Sequence, residues 1–133
     1  MGMNRGFVRK GGLQMPAGAG DTTFDNHKPV SITTVGAGTI TAAAVASGCV
    51  LRTGPTGAVA DTFDTAANVA AALPDMEIGD SFLIHYSNQV GFIITITGVS
   101  GITVSGTPAI AANTMKQILF TKTGAATFTA VCL

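Results

Sequence analysis

The hydrophobic pattern divides the chain near residue 47. Beyond it, apolar and polar residues alternate with the period of two expected of half-buried strands. Residues 49–53 (Cys-Val-Leu-Arg-Thr) read as a strand, and Gly54-Pro55-Thr56-Gly57 as the turn that ends it. Phe82, Ile84 and Tyr86 alternate with Ser81, Leu83, His85 and Ser87, and Phe92, Ile94 and Ile96 alternate with Ile93, Thr95 and Thr97. Further short strands are expected over 102–104, 115–121 and 126–132, separated by turns such as Gly98-Val99-Ser100-Gly101. One segment breaks the period. Ala66, Val69, Ala70 and Leu73 follow the i, i+3, i+4, i+7 spacing of a helix face, which predicts a short helix over 65–73. Asp64 is its expected N-cap and Pro74 its stop. The pattern therefore predicts a mainly β domain over 48–133, an antiparallel β-sandwich or jelly-roll-like fold with one short helix.

Residues 1–47 read differently, as an extended N-terminal arm rich in Gly, Ala and Thr. Glycines recur at Gly2, Gly6, Gly11, Gly12, Gly18 and Gly20, and Phe7, Leu13 and Phe24 stand isolated. Fixing such a backbone costs entropy that so little apolar area does not offset. On its own the segment is not expected to fold, and neighbouring subunits are the simplest thing to hold it. Arg5, Phe7, Arg9, Lys10, Leu13 and Phe24 are then the candidate partner-binding residues. Residues 30–46, rich in β-branched side chains, are expected to add a strand or two to a neighbour's sheet.

Composition sharpens the expectation of a partner. The chain has 20 Ala, 19 Thr and 17 Gly, and only 11% of it is charged, against about 25% in an ordinary soluble domain. Formal net charge is zero, which argues against a general nucleic-acid binder, since phosphate contacts need a basic excess. No stretch reaches the roughly 18 apolar residues of a membrane span. Residues 39–49 faintly resemble a lipoprotein cleavage site, but one placed too far from the start to act as a signal. Cys49 and Cys132 could pair, but a protein assembled in the cytoplasm would keep them as small buried hydrophobes.

Catalysis needs converging titratable groups, and few are available. His27 falls in the arm, and His85 shares its strand face with Ser81 and Ser87, which makes it a surface or interface residue. Gly36-Ala37-Gly38 lacks the third glycine of a dinucleotide fingerprint, and no Gly-x-Ser-x-Gly elbow occurs. Asp61, Asp64, Asp75, Glu77 and Asp80 fall close together, as calcium ligands do. The simpler reading is a helix cap and exposed loop carboxylates. No catalytic residue, metal ligand or cofactor is assigned.

The stretch Gly48-Cys-Val-Leu-Arg-Thr-Gly-Pro, followed by Asp61-Thr, an Ala-rich helix and Gly79-Asp-Ser-Phe opening a strand, resembles a pattern in small virion proteins of tailed phages. The β-rich remainder, from Phe92 to Phe120, is similar to the later part of that module. The resemblance covers about two-thirds of the chain and leaves the arm outside it. It implies a cement or decoration protein on the outside of a capsid, assembled in the host cytoplasm, often trimeric and bound to the major capsid protein. Relatives of this type also serve as pieces of head or tail fibres. No internal repeat or heptad of the kind a fibre stalk would need is visible, and the long arm suits a subunit that reaches across joints between capsomers.

Overall fold

The computed structural model describes residues 28–133. They form two sheets and two helices. The elements in chain order are β1 (Val30–Ile32), β2 (Thr39–Ile40), α1 (Ala42–Ser47), β3 (Cys49–Arg52), β4 (Val59–Phe63) and α2 (Ala66–Ala72). After them come β5 (Ser81–Asn88), β6 (Ile94–Thr97), β7 (Ile102–Gly106), β8 (Ala109–Ile110), β9 (Met115–Gly124) and β10 (Thr127–Cys132). The larger sheet has the order β1-β3-β5-β9-β10-β7, and the smaller one β2-β4-β6-β8.

The chain shuttles between the sheets. β1, β3 and β5 lie side by side and parallel in the larger sheet; β2, β4 and β6 do the same in the smaller one. Each circuit runs strand, turn, strand in the other sheet, and then a return segment. The first two returns are α1 and α2. A chain that comes back through a helix re-enters its sheet in the same direction, whereas a tight hairpin would reverse it. The expected antiparallel sandwich or jelly-roll is therefore corrected on strand direction: five of the eight pairings are parallel. Antiparallel neighbours occur at β5–β9, β9–β10 and β6–β8. The Gly54-Pro55 turn leads across to the facing sheet and not into a hairpin.

Two further expectations change. Residues 30–47, read as the end of an arm, form β1, β2 and α1, and Ile32, Ile40, Ala44 and Val45 are buried in the core. These strands extend the chain's own sheets, so within 28–133 the fold begins at Val30 and not at residue 48. The short helix is joined by a second one. Thr41-Ala-Ala-Ala-Val and Thr65-Ala-Ala-Asn-Val open equivalent helices after equivalent strands, with Thr39 opposite Thr62 and Ile40 opposite Phe63. This is an internal repeat. It escapes a search at fixed period because Val30 meets Val50 while Cys49 meets His85, so the first circuit is far shorter than the second.

Both helices are capped by threonine. Ala44 N–H donates to Thr41 Oγ1 (3.1 Å), and Asn68 N–H donates to Thr65 Oγ1 (3.2 Å). The cap of α2 is thus Thr65 and not Asp64, whose carboxylate instead accepts from Thr65 N–H, Ala42 N–H and the Asn68 amide. Gly48 ends α1 at φ 75°, a left-handed conformation that glycine adopts without penalty, and its N–H reaches Ala44 O and Val45 O. Thr41→Ala and Thr65→Ala should each cost about 1 kcal/mol. Thermal unfolding of the two variants and their Ser counterparts checks this. Unchanged midpoints for both alanines would contradict the capping role.

The core lies between the sheets. Ile40, Phe63, Ile94, Ile96 and Ile110 from the smaller sheet meet Val50, Ile84, Ile118, Phe120 and Phe128 from the larger. The predicted alternation in β5 holds, with Ile84 and Tyr86 fully buried and Ser81 and Leu83 exposed.

Candidate functional site

Two features stand out once the strands are in place: a charged cluster sealed in the core, and an uncharged outer face on the larger sheet.

The cluster follows from the strand period. Arg52 shares the inward register of Val50 in β3, and Asp61 sits between the inward positions of Val59 and Phe63 in β4. Tyr86 faces inward from β5. All three are fully buried. Arg52 Nε donates to Asp61 Oδ2 at 2.6 Å and Nη2 to Asp61 Oδ1 at 3.1 Å, a two-pronged pair. Nη1 donates to Thr34 O and Thr53 O, both at 2.7 Å, and Nη2 to Gly36 O at 2.7 Å. Each of the five guanidinium hydrogens thus has an acceptor. Asp61 also accepts from Gly38 N–H at 2.8 Å and from the Tyr86 hydroxyl. A Cβ at Gly38 would lie 2.9 Å from Arg52 Nη2, so a larger residue there would have to displace the pinned guanidinium.

Electrostatics match the geometry. Burial alone would push the Asp61 carboxyl up, but hydrogen bonds from Arg52, Tyr86 and Gly38 outweigh it and hold the group below the ordinary carboxylate range. Burial and the neighbouring Asp61 carboxylate push the Tyr86 phenol well above its usual value, so it stays protonated and donates. The cluster ties three successive circuits together: residues 34–38 of the first, Arg52 and Asp61 of the second, Tyr86 of the third. Its donors and acceptors are spent on each other and on backbone, which makes it a staple of the fold. Asn88, the other buried polar side chain, spans the carbonyls of Phe92, Ile110 and Ala111 in the same manner.

The sequence pattern places Asp61 in a loop beside Asp64, whereas it is a core residue of β4. The five acidic residues are not gathered. Asp64 sits at the start of α2, and Asp80 Oδ2 closes a turn by accepting from Glu77 N–H at 2.9 Å. Among the described residues, no three His, Cys, Asp or Glu side chains converge as metal ligands do. Cys49 and Cys132 are both free thiols, the first half-buried and the second buried. Arg5, Phe7, Arg9, Lys10, Leu13, Phe24 and His27 lie outside the described residues.

The outer face is built by the complementary register. Leu83 lies opposite Leu119, and Leu119 opposite Val131, in one row across β5, β9 and β10. Cys49, His85 and Gln117 form the next row, and Leu51, Ser87 and Met115 the one beyond. Ser81, Thr121, Thr129 and Thr103 complete the other side. Leu83, Met115 and Leu133 are 40%, 60% and 59% exposed. No Asp, Glu, Lys or Arg occupies an outward position of this sheet. Lys116 and Lys122 take the inward register at the ends of β9 and donate to Thr107 O and Met76 O.

No family model matches the chain, and no curated protein or solved structure is significantly similar to it. No helix among the described residues is long and apolar enough to cross a membrane.

Proposed function

We propose that this chain is a structural virion protein, a cement or decoration subunit that binds the outer surface of a phage capsid through the major capsid protein and stabilises the shell. It acts as a homo-oligomer, with a trimer favoured, and uses neither enzyme chemistry, a cofactor, nucleic acid nor a membrane. The resemblance of the stretch from Gly48 to Phe82 to small phage virion proteins supplies the class. The observation that carries the homo-oligomer part of the reading is the placement of charge. The charged side chains of the body sit in loops, at strand ends or in the sealed core, and the outer face of the larger sheet carries none. Such a surface suits lasting protein contact better than solvent.

A second reading, a head or tail fibre-associated subunit, is favoured by the repeated strand–strand–helix circuit. Stacked parallel circuits extend by adding copies of one unit, which is how elongated structures are built.

Imaging purified particles from the source separates the two. Many copies at capsomer junctions are expected for a cement protein, and density confined to a vertex, tail or fibre moves the assignment to the second reading. Deleting residues 1–29 should leave the fold intact, because β1 begins at Val30, but should weaken shell occupancy. Full occupancy by the truncated chain would remove the arm from the attachment mechanism.

A further inference from the structure

We propose that the outer face of the six-stranded sheet is the surface through which copies of this chain associate. The inference makes specific the homo-oligomer within the proposed function and is tested apart from any shell.

The chemistry of the face selects a second copy over a different partner. Where identical chains associate around a symmetry axis, a residue near the axis meets its own copies, so a charge there meets its like charge. This face has no Asp, Glu, Lys or Arg. Its polar groups are Ser, Thr, Gln and His85; hydroxyls, amides and a neutral imidazole both donate and accept, so each can satisfy an identical residue across the axis. Its centre is the Leu83–Leu119–Val131 row, with Leu51, Met115 and Leu133 around it. A foreign partner would ordinarily be selected and steered by complementary charge, and the face offers none.

Area points the same way. Six strands about 4.8 Å apart, from three residues in β1 to ten in β9 and averaging roughly 20 Å of length, give a flat projection near 600 Å². Side chains corrugate that plane, bringing its accessible area toward the roughly 800 Å² per partner of a stable interface. The outer face of the smaller sheet is the weaker candidate on area, since two of its four strands are only two residues long. It presents Thr39, Ala60, Thr62, Thr95, Thr97 and Ala109, short side chains on four strands.

Sedimentation velocity on the full chain, in reducing buffer and without capsid, tests the proposal. The wild type should be oligomeric at micromolar concentration. Leu119→Lys should weaken association at least about 100-fold, as charging the centre of an interface does. Leu83→Lys, at a more exposed position, repeats the test should Leu119→Lys fold poorly, with circular dichroism reporting the fold. Thr95→Lys on the opposite sheet should change nothing. A wild type that stays monomeric at about 100 μM, a span reaching well beyond micromolar affinity, overturns the proposal. So does an oligomer that tolerates both lysines or is broken by Thr95→Lys. A monomer that starts to associate when residues 1–29 are removed also overturns it, by showing that the chain's own N-terminal segment covers the face. Occupancy on purified shells is scored separately, so loss of one reading leaves the other standing.

Discussion

Replacing Asp61 with Ala should destabilise the fold by about 3–5 kcal/mol, the cost of stranding one member of a buried ion pair. Against a total stability of about 5–15 kcal/mol for a domain this size, that is a large share. The variant leaves the Arg52 guanidinium charged in the core with three carbonyls and no anion. It also removes the acceptor of the Tyr86 hydroxyl and of Gly38 N–H. Asp61→Asn should not rescue it, since the amide keeps the shape but sets a donor or a weaker acceptor against the guanidinium. Arg52→Met should also cost stability, because Thr34 O, Gly36 O and Thr53 O lose their donor. The double variant Arg52→Met/Asp61→Ala should cost clearly less than the two single changes together, by a coupling of about 2–3 kcal/mol. Urea unfolding of the four proteins completes the cycle. Strict additivity would mean that the pair is incidental, and that backbone hydrogen bonds alone fix the circuits.

How much of this was legible in the sequence depends on how local each signal is. The alternation in β5 and the Pro-terminated helix near residue 70 depend on neighbours in sequence, and both formed where expected. Strand direction depends on where each return segment crosses, and a Gly-Pro turn reads the same whether it makes a hairpin or passes to a facing sheet. The short β1 and β2 gave too few residues for a period to register, so 30–47 looked like an arm. Yet Thr41-Ala-Ala-Ala-Val-Ala-Ser-Gly48 carried both an N-cap and a left-handed C-terminal glycine, and could have been read as a helix. The cluster left a fainter trace. Arg52 two residues after Val50, and Asp61 between Val59 and Phe63, occupy core positions in a period of two. Opposite charges at apolar registers of two adjacent predicted strands are a signal for a buried pair, but only after β4 is recognised as a strand. The outer face was half legible. The face that His85 shares with Ser81 and Ser87 follows from the strand period alone, but the Leu83–Leu119–Val131 row joins three strands and needs the pairing register.

Phe120→Ala should cost about as much as Asp61→Ala, 3–5 kcal/mol or thereabouts, for a different reason. Phe120 is fully buried on β9, in the middle of the larger sheet. Its ring lies 5.0 Å from that of Phe128, 5.7 Å from Phe63 and 5.8 Å from Phe82, centroid to centroid. Phe63 belongs to the smaller sheet, so the ring is a main apolar bridge between the layers. Truncation removes the transfer energy of a benzyl group and leaves a cavity walled by three rings on separate strands. Those strands are held by their own ladders and close only partly around it. Phe120→Leu should cost less, because it leaves the smaller void. The two large effects separate by pH. The Asp61 carboxyl is held below its ordinary range in the folded state. Its contribution is therefore present above the unfolded carboxylate value, near pH 4, and is lost as pH falls toward the lower folded value. The deficit of Asp61→Ala relative to wild type should shrink on acidification, while that of Phe120→Ala, with no proton involved, should stay constant. Unfolding midpoints measured from pH 7 down to about 3 test both. A Phe120→Ala deficit that shrinks in parallel would mean acid loosens the whole core together, and that the Arg52–Asp61 pair is not what acid removes first.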